Sequence, residues 1–244
     1  MSAITVLYVA AFYVAALVFI GGLARRIADY ARTPAPLKIP TTPAPLGNGG
    51  VALRMAREVV LFESLFKSNK WTWLFGWMFH VALLLVTLRH LRYVTEPVWI
   101  WVKLVQPFGM YAGFAMIAGL LGLWARRFLV DRVRYISTPS DHLMLALLLA
   151  IGVSGLAMRF VAHTDIVAVK AFMLGLLYFD PQPLPAEPVL LVHLGLVIVL
   201  MIIFPISKLL HAPGVFFSPT RNQTDDPREN RHVTAWATAL KREG

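Results

Sequence analysis

Cysteine is absent from this 244-residue sequence, and its absence excludes several redox cofactors at once. Without thiolates the chain itself cannot ligate an iron–sulfur cluster, form a disulfide or attach a haem covalently through a C-x-x-C-H sequence. Any redox group must therefore be held by other ligands, of which histidine is the first candidate.

Charged residues are also scarce, at 15% of the chain against 58% apolar residues. Soluble domains have roughly a quarter of their residues charged. The net charge of +10 does not indicate a nucleic-acid partner, because the basic residues fall between long apolar runs instead of forming one stripe. The composition predicts an integral membrane protein whose surroundings are lipid.

Five apolar stretches are long enough to span a bilayer, which needs roughly 20 residues of helix. They are residues 4–23, 71–91, 105–124, 142–158 and 189–210. The first is not a cleavable signal, because Arg25 and Arg26 follow the apolar run instead of preceding it. A sixth stretch, 166–179, is shorter and contains Lys170, so we expect an amphipathic helix at the membrane interface.

The distribution of Lys and Arg predicts the orientation of these spans. Eighteen of the 23 fall in the loop after the first span, the loop after the third span and the C-terminal segment from Lys208 onwards. Because basic loops stay in the cytoplasm, the N-terminus is predicted outside and the C-terminus inside. A sixth span would move the basic tail outside and remove this asymmetry, so the charges favour five spans.

The predicted fold is therefore an all-α integral membrane protein, a five-transmembrane-helix bundle, without internal repeats. Residues 1–211 form the membrane domain and 212–244 a cytoplasmic tail. The cytoplasmic loop 25–70 is expected to be extended over its Pro-rich part, 33–45, and to form an interfacial helix over 51–66.

Four histidines lie on two of the predicted spans. His80 and His90 are ten residues apart on the second span, and His193 and His211 are eighteen apart on the fifth. Metal-binding side chains inside a membrane span are costly and indicate function. The alternative is that each histidine only hydrogen-bonds a neighbouring helix. The remaining three, His142, His163 and His232, are expected to be solvated.

The two spans run antiparallel, so His80 and His211 lie towards the cytoplasm while His90 and His193 lie towards the outside. The separations are about 15 Å on the second span and about 27 Å on the fifth at the helical rise. Such levels suit one haem near each membrane face. Pro205 gives a reason for the fifth span to bend and reduce the mismatch.

These spacings resemble the gamma (cytochrome b) subunit of respiratory nitrate reductase. Within that superfamily the chain looks most like DsrM, the membrane subunit of the complex associated with dissimilatory sulfite reductase. The segments that resemble DsrM are LFESLFKSNK at 61–70, WLFGWMFH at 73–80, STPSD at 137–141 and HAPG at 211–214. The long first loop departs from the nitrate reductase pattern.

The resemblance implies two haem b groups, one held axially by His80 and His211 and the other by His90 and His193. It implies a cytoplasmic iron–sulfur partner resembling heterodisulfide reductase, and also a periplasmic multihaem cytochrome c and another membrane subunit. The cation candidates for haem propionates or quinone are Arg89, Arg92, Lys103, Arg159 and Lys208. A quinone site is expected near His90, Arg92 and Lys103.

The expected function is electron transfer between membrane quinone, either menaquinone or ubiquinone, and that iron–sulfur subunit, in dissimilatory sulfur metabolism. The expected location is the cytoplasmic membrane of a bacterium or archaeon. The alternatives are a non-redox membrane anchor and a nitrate reductase-type quinol-oxidising subunit. A transporter would show inverted repeats, and His80 and His90 are too far apart to share one zinc or copper ion.

Overall fold

The computed structural model describes residues 1–34 and 43–225, and the regular structure in this part of the chain is helical. The helices are α1 (Ala3–Arg32), α2 (Asn48–Leu61), α3 (Glu63–Ser68), α4 (Lys70–His90), α5 (Ile100–Leu129), α6 (Asp131–Ile136), α7 (Pro139–Phe160), α8 (Ile166–Leu177), α9 (Pro188–Ile203), α10 (His211–Gly214) and α11 (Pro219–Asn222). Among them α1, α4, α5, α7 and α9 are long and apolar enough to cross a membrane. The five predicted spans are confirmed.

The spanning helices start where local capping groups dictate, so several are longer than the apolar stretches. The Asn69 side chain accepts a hydrogen bond from the Thr72 N–H at 2.8 Å and so starts α4. At α7, Thr138 and Asp141 form a reciprocal capping box, and Pro139 occupies the first helical turn. These caps extend the helices into polar sequence that hydropathy alone does not count.

The spanning helices pack in the order α1, α9, α7, α5, α4. Glycines on α5 bring it close to α4: a Cβ added at Gly119 would lie 2.9 Å from the Phe75 carbonyl oxygen. Helices α4 and α9, which bear His80, His90 and His193, are fully described, and α5 and α7 lie between them in this order.

We call the end of the bundle where α1 ends and α4 begins, at Arg32 and Lys70, the basic end, and the opposite end the far end. Helix α9 runs parallel to α1, since Tyr8 donates a hydrogen bond to the Leu191 carbonyl near the far end and Arg26 donates to the Pro205 carbonyl near the basic end. Helix α4 runs in the opposite direction.

The fifth span is broken, not merely bent, before it reaches His211. Helix α9 ends at Ile203, a 3₁₀ turn covers Phe204–Ile206, and Ser207 is extended. Pro205 has no N–H to donate to the preceding turn, which explains why the α-helix stops there. A second 3₁₀ turn, Lys208–Leu210, then leads into α10. The expectation of a continuous helix over 189–210 is therefore wrong.

The loop between α1 and α4 contains two helices, whereas the sequence predicted one over 51–66. Phe62 separates α2 from α3 and has a left-handed conformation, with φ of 52°. The C-terminal end of α2 lies along α4, because the indole of Trp73 donates to the Leu61 carbonyl and that of Trp77 to the Val60 carbonyl. The expected extended segment lies mostly outside the described residues.

The short sixth apolar stretch forms α8, a helix of 12 residues that is shorter than the five candidate spans. Its predicted place at the membrane interface stays a prediction. Its side chains Val169, Phe172 and Leu176 are buried in a cluster with residues of α1 and α9. Lys170 forms an ion pair with Glu96 in the loop between α4 and α5. In the tail, Arg221 of α11 lies 3.3 Å from Glu58, and residues 226–244 lie outside the described part.

Candidate functional site

His80 and His211 face each other at the basic end. Their ring centroids are 5.9 Å apart and the ring planes are inclined at 84°. Imidazole nitrogens bind a metal ion at about 2 Å, so two axial imidazoles on one metal have ring centres about 6 Å apart. The break after α9 places His211 opposite His80, and the spacing suits a single metal ion between the two rings.

The hydrogen bonds of the rings fix which nitrogen is available. Nδ1 of His80 lies 2.7 Å from the Gly76 carbonyl oxygen, and Nδ1 of His211 lies 2.8 Å from that of Lys208. A carbonyl only accepts, so each Nδ1 carries the proton and donates. In the neutral rings Nε2 then keeps its lone pair, which is the form that binds a metal.

His90 and His193 lie at the far end, and in both rings Nδ1 is again the hydrogen-bonded nitrogen. Nδ1 of His90 lies 2.6 Å from the Val86 carbonyl oxygen. His193 is buried, and its Nδ1 lies 3.0 Å from Oγ of Ser154 on α7. The single Ser154 hydroxyl proton is directed to the Ala150 carbonyl at 2.7 Å, so Ser154 accepts from His193. His90 is an ionisable neighbour of His193.

The other two histidines in the described part of the chain have different surroundings. His142 is half-buried, and its Nδ1 accepts a hydrogen bond from the Trp124 indole at 3.0 Å. The expectation that His142 is solvated is wrong, because α5 and α7 bring Trp124 and Phe128 onto its ring. His163 is exposed as expected. His232 lies outside the described residues.

Three arginines gather near His90 at the far end. Arg89 precedes it on α4, and Arg92 and Arg159 are charged neighbours of Arg89. Arg92 also donates a hydrogen bond to the side-chain oxygen of Gln106, at 3.2 Å. Neither these arginines nor Lys103 has a carboxylate within ion-pair distance among residues 1–34 and 43–225. The cluster has unbalanced positive charge and suits an anion.

Lys208, the cation expected at the basic end, already has an anionic partner. Its Nζ lies 2.6 Å from Oδ1 of the buried Asp141. Sequence reasoning did not single out Asp141 or Ser154 for a role at the histidines. Both are polar side chains within an apolar helix, a signal that could have marked them.

Phe62 is a further side chain that contacts His80 at the basic end. The Phe62 ring, at the left-handed residue between α2 and α3, lies 5.0 Å from the His80 ring. It covers His80 on the side of the loop. No local sequence signal marks this contact, because it depends on how α2 packs along α4.

A bare metal ion is a poor match for these histidines. Within the described part of the chain, no three or more His, Asp or Glu side chains come together in a way that could hold one. A haem supplies four of the iron ligands itself, so two axial histidines suffice. The spacing of the His80 and His211 rings therefore fits a haem iron between them.

The sequence of the chain is similar to those of known membrane proteins. The family model for the nitrate reductase gamma subunit matches residues 63–227. Two similar proteins are both described as the Hdr-like menaquinol oxidoreductase cytochrome b-like subunit. The one from Archaeoglobus fulgidus is 37% identical, with the match covering 93% of this chain and 82% of the relative. The one from Archaeoglobus profundus is 35% identical over 92% and 80%.

The family match begins at α3 and includes α4, α5, α7 and α9, so it contains all four histidines of the two pairs. The two relatives extend the similarity over most of the chain, including α1. Together with the five apolar helices, this indicates a multi-pass membrane protein. The chain belongs to the nitrate reductase gamma subunit family, whose members are membrane cytochromes b.

Proposed function

We propose that this chain is a di-haem b membrane subunit that exchanges electrons between membrane quinone and an iron–sulfur protein. His80 and His211 would hold one haem at the basic end, and His90 and His193 the other at the far end. The bound haems supply one-electron transfer. The chain's own residues ligate them, exclude water and balance their charge.

The observation that carries the proposal is the approach of the His80 and His211 rings, whose centroids are 5.9 Å apart. Each of the four rings also has its Nδ1 hydrogen-bonded to an acceptor, which leaves Nε2 for a metal. The exposed His163 engages its Nδ1 in the same way, with the Val161 carbonyl oxygen at 3.1 Å. The pairing of the rings, and not the hydrogen bond alone, therefore supports ligation.

The arginine cluster at the far end supports an anionic group beside His90. Haem b has two propionates, and guanidinium groups bind carboxylates with paired hydrogen bonds. Arg89, Arg92 and Arg159 are the first candidates, because they repel one another without an anion. Lys103 begins α5 at the same end and is exposed. We place the quinone site near His90, Arg92 and Lys103, where a donor can reach the quinone oxygens.

The names of the relatives suggest the substrate and the partner. Both are called Hdr-like menaquinol oxidoreductase subunits. We therefore propose menaquinol as the quinol and a heterodisulfide reductase-like iron–sulfur protein as the partner, in dissimilatory sulfur metabolism. The basic end would face the cytoplasm and bind this partner, in agreement with the distribution of basic residues. A periplasmic cytochrome c and a second membrane subunit would complete the assembly.

The test is a haem count on the purified chain, with single histidine variants. We expect two b-type haems per chain in a reduced-minus-oxidised spectrum. His80→Ala and His211→Ala should lose the same haem, and His90→Ala and His193→Ala the other. His163→Ala is the matched control, since His163 is exposed and is not one of the four proposed ligands, and it should retain both haems.

A colourless protein that still binds its soluble partner would refute the proposal and favour the non-redox anchor. If His80→Ala and His193→Ala, which belong to different proposed pairs, lost the same haem, the pairing would be wrong. Oxidation of menaquinol with nitrate reductase as the acceptor, and not with an iron–sulfur partner, would favour the nitrate reductase type.

A further inference from the structure

Asp141 is a buried carboxylate near the His80–His211 pair, and 5% of its surface is exposed. Its Oδ1 lies 2.6 Å from Nζ of Lys208, and its Oδ2 lies 3.5 Å from Nη1 of Arg127. Oδ2 also accepts hydrogen bonds from the backbone N–H and the hydroxyl of Thr138, each at 3.0 Å. One carboxylate thus joins the end of α5, the start of α7 and the turn after α9.

The turn that Asp141 holds is the one that orients His211. Lys208 begins the 3₁₀ turn Lys208–Leu210, and His211 follows directly. The Lys208 carbonyl accepts the hydrogen bond from Nδ1 of His211 at 2.8 Å. Two consecutive bonds therefore connect Asp141 to the ring: the ion pair to the Lys208 side chain, and the hydrogen bond from the Lys208 main chain.

The position of His211 needs such support because no helix continues to it. Ser207 is extended, so the hydrogen-bond ladder of α9 is interrupted before the ligand. The other three histidines of the two pairs lie within helices α4 and α9, whose backbone fixes them. A ligand on a short turn depends on side-chain contacts for its position.

We propose that Asp141 is a positioning residue for His211. It fixes the turn Lys208–Leu210 against the start of α7, and through the Lys208 carbonyl it sets the position of the imidazole and its Nδ1–H tautomer. This inference rests on the proposed function in so far as His211 is a haem ligand. It assigns Lys208 to the ligand turn instead of to a propionate.

The test uses Asp141→Asn and Lys208→Gln in the full chain, alone and combined. Asparagine retains an oxygen for the Thr138 cap and removes the charge that binds Lys208. The Lys208 side chain is 71% exposed, so its replacement leaves packing intact. The readouts are the low-spin to high-spin ratio by electron paramagnetic resonance, haem retention and the midpoint potential of each haem.

A matched control exists in the same chain. Lys67 and Glu63 form an ion pair of the same length, 2.6 Å, and the Lys67 side chain is also 71% exposed. The hydrogen bond from Lys67 holds the pKa of Glu63 below its usual range. Glu63→Gln and Lys67→Gln thus remove equivalent charges without touching the ligand turn, and they should leave both haems unchanged.

We expect both single variants to convert part of the haem at the basic end to the high-spin form. Its retention should fall about tenfold, the range seen when a group supporting a metal ligand is removed. The double variant should be no worse than the poorer single variant, because both break the same connection. The far-end haem should retain its spectrum and its potential.

Two outcomes would overturn the inference. Unchanged spectra in Asp141→Asn and Lys208→Gln would show that the turn keeps its conformation without the ion pair. Opposite potential shifts with unchanged spectra would show that the charges act only through space, where a tenfold change in the oxidised-to-reduced ratio is 59 mV for one electron. In either case the wild-type protein would still contain two haems, so the proposed function would stand. A wild-type protein without haem would instead refute the proposed function.

Discussion

A histidine presents one nitrogen to a metal reliably only when its other nitrogen is engaged. His80, His90 and His211 engage Nδ1 with a main-chain carbonyl three or four residues earlier. His193 differs, because its acceptor is the Ser154 hydroxyl on another helix. A side-chain acceptor can be removed by substitution, whereas a carbonyl cannot, and this makes His193 the proposed ligand whose support is open to direct test.

We expect Ser154→Ala to weaken the far-end haem selectively. Without Oγ the Nδ1 proton of the buried His193 loses its hydroxyl acceptor, so the opposite tautomer becomes more accessible. Loss of such support lowers metal affinity by about 10- to 100-fold. Haem retention during dialysis, followed at the two absorbance bands, measures the effect.

The control for Ser154→Ala is Ser140→Ala, an exposed serine at the start of the same helix. Equal loss of both haems in Ser154→Ala would contradict the assignment, because it would indicate damage to the whole bundle.

For single residues, the sequence predicts the candidate ligands but not the side chains that hold them in position. His80, His90, His193 and His211 stand out because polar side chains are costly in apolar spans. Ser154 is a single hydroxyl whose role depends on α7 lying beside α9, a contact that the sequence of α7 does not encode locally. The solvation of His142 was wrongly predicted for the same reason, since Trp124 comes from a different helix.

Among the features of the helices, the break after α9 has the largest effect on the site. An unbroken helix would place His211 about 27 Å from His193 along one axis, whereas His80 and His90 are about 15 Å apart. The two ligand sets would then lie at different levels. With the helix broken after Ile203, the His80 and His211 rings lie 5.9 Å apart.

Restoring the helix should therefore remove one haem. In Pro205→Ala with Ser207→Ala, position 205 regains its N–H and the Ser207 cap on the Leu209 N–H is lost. We expect α9 to extend and the basic-end haem to fall to half or less of its wild-type occupancy, measured by the haem-to-protein ratio.

Pro107→Ala is the control for this change, because Pro107 lies inside α5 without ending that helix. It should retain both haems. Full occupancy of the basic end in the double variant would show that the break is set by the packing of α1 against Pro205 and not by the local residues.

The sequence predicted the existence of the spanning helices well and their ends poorly. Apolar length identifies a span, but capping by Asn69 and Thr138 decides where α4 and α7 begin. The division of α2 from α3 at Phe62 was not predictable, since a phenylalanine with positive φ has no local preference for that conformation. The pairing of α2 with α4 holds it there.

For the whole molecule, the predicted orientation follows from charge, and the absence of cysteine makes it easy to test. A single introduced cysteine is the only thiol in the chain. Tyr135→Cys lies in α6 at the basic end, where Tyr135 is 91% exposed. His163→Cys lies at the far end in an exposed turn.

In intact spheroplasts, an impermeant maleimide should label His163→Cys and leave Tyr135→Cys unlabelled until the membrane is opened. The physical reason is retention of basic loops in the cytoplasm. The reverse pattern would place the basic end outside and would contradict binding of a cytoplasmic partner there. The cysteine-free parent controls for non-specific labelling.

Each proposed haem takes one ligand from α4 and its second from residues in or after α9. Both second ligands therefore follow α1 to α8 in the order of synthesis. During translation neither haem site can close until His193, and then His211, has left the ribosome. The far-end site would be completed first and the basic-end site last. The haem at the basic end could thus be inserted only after the membrane domain through His211 has been synthesised, and electrons could pass between the two haems only from then on.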